Sequence, residues 1–243
     1  MTESYGALCT DHYVNLKLGL KLELPRSRDT VLSLFERVRR QYPGMSEFRK
    51  YTDELALESP TNGSPHRWLA VRASSVRAGV VNPSASTEAY RLLEMVLDVS
   101  PYFLDISPLD VDYVEVLYGF DIAAGGNHDA IVAETLLGGS PIAGLFDLGN
   151  GSPIDCQPLV GLTLGDGTEA FFEVRTRPDE NRTDRRGEPI SVYLTLRRRG
   201  PIDELKQLAP MFRDMTSVGE ELVDRGVLPV LVNPIRDGIV PGM

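Results

Sequence analysis

His12-Tyr13-Val14-Asn15-Leu16-Lys17-Leu18-Gly19-Leu20-Lys21-Leu22-Glu23-Leu24 is the stretch whose reading decides the fold. Apolar residues take every second position. Successive side chains of a strand point to opposite faces. The spacing therefore predicts a long strand with Val14, Leu16, Leu18, Leu20, Leu22 and Leu24 buried, and Tyr13, Asn15 and Lys17 on an open face. A helix would scatter the same leucines around its axis.

Pro25 ends that strand. Ser27 is placed to cap a helix, with Asp29 in its first turn and Val31, Leu34, Phe35, Val38 and Tyr42 as its apolar stripe. Pro43-Gly44 stops it. Residues 51–58 and 68–77 read as two strands of a hairpin around turn-forming residues 60–65. Ser84 or Ser86 is expected to cap a second helix, with Ala89, Leu92, Leu93, Val96 and Val99 inward.

A second long strand is predicted over 111–122, and it repeats the first. Tyr113-Val114 matches Tyr13-Val14, and Gly119 matches Gly19. Without a gap, Leu16, Leu20 and Leu22 face Val116, Phe120 and Ile122, and Asp29 and Val31 face Asp129 and Ile131. Asn127 caps the next helix, and 159–164 with 169–175 flank the turn Gly165-Asp166-Gly167. A strand over 190–197 and a helical stripe from Ile202 to Leu222 follow. Pro210 is expected to kink or split that helix and Gly226 to cap it.

This order implies an α+β fold, a largely antiparallel sheet with helices on one face. Two degenerate strand-helix-hairpin-helix repeats, 12–107 and 110–232, would make a single domain over 12–232, with tails 1–11 and 233–243.

The chain has 243 residues, 42% of them hydrophobic and 25% charged, with a net charge of -10. That is ordinary globular composition. The acidity argues against nucleic-acid binding, because phosphate backbones are repelled. No apolar run approaches the ~20 residues that span a bilayer, and no signal peptide is visible. Cys9 and Cys156 have no metal-ligand spacing and read as reduced thiols of a cytoplasmic protein.

The order of elements resembles an uncharacterised, sporadically distributed bacterial family. In that family, a strand in this position carries a Gly-x-Arg-Tyr type motif. Here the strand reads Val114-Glu115-Val116-Leu117-Tyr118-Gly119-Phe120, with Tyr118 as the tyrosine and Leu117 in place of the arginine. The duplicated order is also similar in topology to gyrase-inhibitor-like ligand-binding domains. The first resemblance implies no activity; the second implies a groove between the repeats.

Catalytic signals are few. His12, His66 and His128 share no i, i+4 spacing with another ligand, so no metal or other cofactor is expected. Gly125-Gly126-Asn127-His128-Asp129 reads as a capped loop rather than a phosphate site, and no Gly-x-Ser-x-Gly is present. Asp155 beside Cys156 disfavours a thiolate. Glu115 and Glu173 form a possible carboxylate pair for acid–base work, the weaker enzymatic alternative. Arg182, Arg185 and Arg186 are interleaved with acids; the run Arg197 to Arg199 is less compensated.

The richest surface is the open sheet face. It gathers Tyr13, Asn15, Lys17, Trp68, Arg72, Tyr113, Glu115, Phe171, Glu173, Arg175, Tyr193 and Arg197. Aromatic and arginine side chains together suit interface hot spots and ligand grooves; cross-strand aromatic pairing also explains them. The expectation is a non-enzymatic binding module using this face for a protein partner or another copy of itself. The acidity also fits a neutraliser of a basic protein, such as an immunity-type inhibitor. The alternative is a small-molecule binder with a groove between the repeats. Neither nucleic acid nor membrane is an expected partner.

Overall fold

A computed structural model of the protein describes residues 5–25, 27–60, 63–146, 148, 151–176 and 189–239. Nine strands form one antiparallel sheet in the order β2-β3-β4-β5-β1-β6-β9-β8-β7. They are β1 (Asp11–Leu20), β2 (Glu47–Lys50), β3 (Leu55–Glu58), β4 (His66–Arg72), β5 (Ser75–Val81), β6 (Val111–Ala123), β7 (Leu159–Thr163), β8 (Glu169–Arg175) and β9 (Pro189–Arg199). The helices are α1 (Arg28–Gln41), α2 (Ser86–Phe103), α3 (His128–Val132), α4 (Leu208–Leu222) and α5 (Asn233–Gly238). The fold is α+β, as the alternating pattern implies.

The two long strands form the centre of the sheet. β1 and β6 run antiparallel with Leu16 opposite Val116, Tyr13 opposite Gly119 and Gly19 opposite Tyr113. The pairing and the sequence match therefore share one local two-fold relation centred on Leu16 and Val116. Each half runs from its leading strand through a helix and a meander back to that strand, then into another helix. The second half has one strand fewer and a shorter first helix. A shared order of elements does not by itself establish a duplication.

Alternation sets the core. Val14, Leu16 and Leu18 of β1, Val114, Val116 and Tyr118 of β6, and Val192, Leu194 and Leu196 of β9 are buried under the helices. Leu34 and Val38 of α1, Leu92, Leu93 and Val96 of α2, and Phe212 and Met215 of α4 meet them. Tyr118, the tyrosine of the motif-like strand, is tied into this core. Its hydroxyl shares a 2.9 Å hydrogen bond with Tyr90 of α2 and donates to the Thr216 carbonyl of α4 at 3.2 Å. Gly219 lets α4 sit down on that ring, since a Cβ there would come within 2.5 Å of it.

Several local expectations change. β1 stops at Leu20, after a shift of register at Gly19, and Lys21 then donates to the Asp110 carbonyl. Leu22 is consequently 66% exposed, although Leu24 is buried again. The stretch 68–77 is two strands, because Ala73-Ser74 turns the chain between β4 and β5. The short strand β2 precedes β3, its charged sequence having masked its period. α2 begins after Ala85, which makes no side-chain cap; Glu88 instead accepts bonds from the backbone and hydroxyl of Ser84.

Pro210 lies in the first turn of α4, where its missing amide hydrogen breaks no helical bond, so it neither kinks nor splits the helix. Gly226 does not end the helical run. The chain continues through π-type turns over Val223–Val232 into α5, where Ile235 is fully buried, so part of the expected C-terminal tail is packed. Ser27 and Asn127 cap α1 and α3 as expected, accepting from Thr30 and Ala130. The charged stretch with Arg182, Arg185 and Arg186 lies outside the described residues.

Candidate binding face

Register decides which side chains share the uncovered face. Tyr13, Asn15 and Lys17 face Gly119, Leu117 and Glu115 of β6, which in turn face Tyr193, Thr195 and Arg197 of β9. Glu173 and Phe171 of β8 face Tyr193 and Thr195, Trp68 faces Gly79, and Arg72 faces Ser75. The twelve side chains named from sequence therefore lie on one face, opposite the helices.

Much of this face is held together by its own contacts. The Arg197 guanidinium lies over the rings of Tyr113 (4.9 Å) and Phe171 (5.6 Å) and donates to Glu115 at 2.6 and 2.9 Å. Arg175 lies 5.5 Å over Tyr193 and pairs with Glu173 at 2.8 Å. The Tyr13 hydroxyl bonds Asp121, which also accepts from Ser191 at 2.6 Å. Burial, with Tyr193 and Asp121 next to it, pushes the Tyr13 phenol well above its ordinary pKa.

Aromatics also cover glycines across the ladders. Tyr113 stands over Gly19, Tyr13 over Gly119, Trp68 over Gly79 and Phe171 over Gly161. The Tyr113 and Tyr13 rings fill the place of the missing Cβ, Trp68 does so together with Asn15 Oδ1, and Phe171 packs 3.2 Å from it; aromatic cover is a recognised way of stabilising glycine in a sheet. These rings have a structural role whatever else they do.

The run Arg197 to Arg199 is fully compensated. Arg198 pairs with Asp166 and Arg199 with Glu169 at 3.1 Å, so the expected unbalanced edge is absent. A second group of cations lies nearer β5. Arg72 and Arg77 share one carboxylate, Glu54, at 2.7 and 3.5 Å. Lys17 lies 5.2 Å over Tyr113 and has no carboxylate partner among the described residues. Burial, with Arg72 close by, lowers the pKa of Arg77, whose guanidinium lies 5.5 Å over Trp68.

Two open depressions mark the face. One, of about 760 Å³, is lined by Lys17, Arg72, Arg77, Tyr113, Asp53, Asp112 and Glu115. The other, of about 590 Å³, is lined by Tyr13, Asn15, Phe171, Glu173, Arg175, Tyr193, Arg197 and Leu159. Glu115 borders both. Arg77 was not anticipated from sequence, because one strand over 68–77 hides the turn that puts it in register with Lys17. The phase Ser75, Arg77, Gly79 within β5 is the signal that reveals it.

The carboxylates proposed for acid–base work are each paired with arginine, Glu115 with Arg197 and Glu173 with Arg175. No group of three or more His, Cys, Asp or Glu side chains among the described residues is placed to hold a metal ion. His12 is buried, His66 meets the Ser59 hydroxyl at 3.3 Å, and His128 meets the Ala124 carbonyl at 3.1 Å. Burial raises the Cys9 thiol to about 12, with Asp121 and Asp11 adding to the shift, and burial also raises Cys156. Asp129 accepts from the Cys156 amide and the Thr176 hydroxyl, which occupies the carboxylate at the α3 terminus. No helix of the described residues is long and apolar enough to cross a membrane.

No protein-family model and no curated protein matches the chain. A solved structure titled as the di-domain ARO/CYC BexL from the BE-7585A biosynthetic pathway is similar at 10% identity, over 95% of this chain and 99% of that one, with a TM-score of 0.22. A likeness that low carries no argument about fold or ligand.

Proposed function

We propose that the protein is a non-enzymatic binding module and that its open sheet face receives a protein partner. One observation carries the reading: the helices pack on the leucine face, and no described element covers the aromatic and arginine surface across the central strands. Hot spots are enriched in Trp, Tyr and Arg. The two depressions are open rather than enclosed and share the border at Glu115, which suits an extended partner surface. Lys17, Arg72 and Arg77 stand beside Asp53, Asp112 and Glu115 there, which suits a partner surface that carries both signs of charge.

A small acidic or aromatic molecule is the second reading. The 590 Å³ depression with Tyr13, Phe171, Tyr193 and Arg175 favours it, since small-molecule sites fall in the range of about 300–1,000 Å³. Affinity capture from native extract with the full chain separates these readings. Lys17→Ala with Arg77→Gln should lose the captured protein while the chain still unfolds in a single cooperative transition. Capture that survives both substitutions removes the open face from the account. A small molecule released from the native chain, with no protein captured, supports the second reading.

A further inference from the structure

The two edges of the sheet are built differently. β2 reads Glu47-Phe48-Arg49-Lys50, and its charges pair with each other and with β3. Such charges are how sheets discourage pairing with another chain. β7 reads Leu159-Val160-Gly161-Leu162-Thr163, with no charge and no proline, and every residue is exposed. Leu159, Val160 and Leu162 are 61%, 54% and 50% exposed, with Ile142, Leu145 and Ile154 of the preceding loop also open.

Backbone bonding defines what this edge offers. Val174 donates to the Pro158 carbonyl at 3.0 Å and Leu164 donates to the Thr168 carbonyl at 2.8 Å. With the register Val160–Phe172 and Leu162–Ala170, the backbone groups of Val160 and Leu162 point to β8. Those of Leu159, Gly161 and Thr163 therefore point outward, where no strand among the described residues pairs with them.

We propose that β7 pairs antiparallel with β7 of a second copy of this chain, about a two-fold axis at Gly161, to join two sheets edge to edge. The strand is self-complementary under that axis. Gly161 meets Gly161 of the other copy in a hydrogen-bonded pair, Leu159 meets Thr163, and Val160 meets Leu162. Charge selects this edge as well. Each copy carries a net charge of -10, so two copies repel least where they meet on an uncharged surface. The nearby carboxylates are neutralised: Glu173 by Arg175, Glu169 by Arg199 and Asp166 by Arg198. The pairing also carries Leu159 and the Phe171 depression up to the other copy, which makes the open faces continuous.

The test uses light scattering of the full chain and a charge exchange at the paired positions. The parent should reach twice its 26.8 kDa mass by about 100 µM. Val160→Lys with Leu162→Lys places like charges opposite one another and should give monomer. Val160→Glu with Leu162→Glu should do the same, and mixing the two variants should restore a dimer. Thr163→Pro, which removes an outward amide hydrogen and none directed to β8, provides a second variant should the charged ones fold poorly; it too should be monomeric. A monomeric parent overturns the proposal, as do charged variants that stay dimeric or a mixture that stays monomeric.

Discussion

The Tyr13 ring occupies the place that a Cβ on Gly119 would fill, and the ring of Tyr113 does the same at Gly19. The two contacts are related by the local two-fold at Leu16 and Val116. Side chain and glycine are thus one unit in each ladder. Gly119→Ala should cost about 1–3 kcal/mol, the usual range for forcing atoms into occupied space. In a Tyr13→Ala background the same substitution should cost much less. A double-mutant cycle from urea melts measures the difference; additive losses would show that ring and glycine are not coupled.

The alternation of β1 separates core from face. Leu18 is fully buried and Lys17 is not, one residue away. Leu18→Ala should cost about 2–5 kcal/mol. Lys17→Ala should cost under about 1 kcal/mol, since it gives up a single partly exposed ring contact. Equal shifts in the denaturation midpoint would mean that burial does not follow the strand period.

Tyr118 joins a strand to two helices through its hydroxyl. Tyr118→Phe keeps the ring packed on Gly219 and leaves the Tyr90 hydroxyl without this partner. A loss of about 1–2 kcal/mol is expected, in the range for an unsatisfied buried group. Thermal unfolding of the variant should remain a single transition; an unchanged melting point would remove the hydroxyl bridge from the core.

His12 gives a pH dependence with a definite sign. Burial lowers its pKa below 6.5, while bonds at Pro83 and Asn82 partly offset the shift. The unfolded chain then binds the proton more readily than the folded one. His12 contributes its full stability above about pH 6.5, and that contribution is lost as pH falls through the folded value. Urea melts at pH 7 and pH 5 should show a smaller fall for His12→Gln than for the parent. An identical fall would mean that His12 titrates alike in both states.

The sheet's architecture was legible where a period was long. The leucines of 14–20 and the apolar phase of 111–122 identify two long strands and their buried faces, because a one-residue slip would expose the whole apolar set; that the two pair at the centre of the sheet comes from the structure. The β7 edge was legible too, since 159–164 and 169–175 flank a Gly-Asp-Gly turn and form β7 and β8, but the other half of the sheet was not. In β2, charge replaces alternation, and in β4–β5 the two-residue turn contains neither glycine nor proline. Leu22 was misplaced because the strand leaves its ladder at Leu20, a tertiary event with no local signature. The shared face of Tyr13, Tyr113 and Arg197 followed from phase alone. The sharing of Glu54 by Arg72 and Arg77 did not, since it depends on which strands are neighbours.

Trp68 is the chain's single tryptophan and stands on the open face beneath Arg77, so it reports on binding there. The most direct test of that face is a titration with 8-anilinonaphthalene-1-sulfonate, an anionic aromatic probe matched to its cations and rings, followed by Trp68 emission. The account predicts saturable quenching in the parent, kept in Val160→Lys with Leu162→Lys and lost in Lys17→Glu with Arg175→Glu. Quenching that survives the open-face substitutions, or probe binding abolished only by the β7 substitutions, would contradict it.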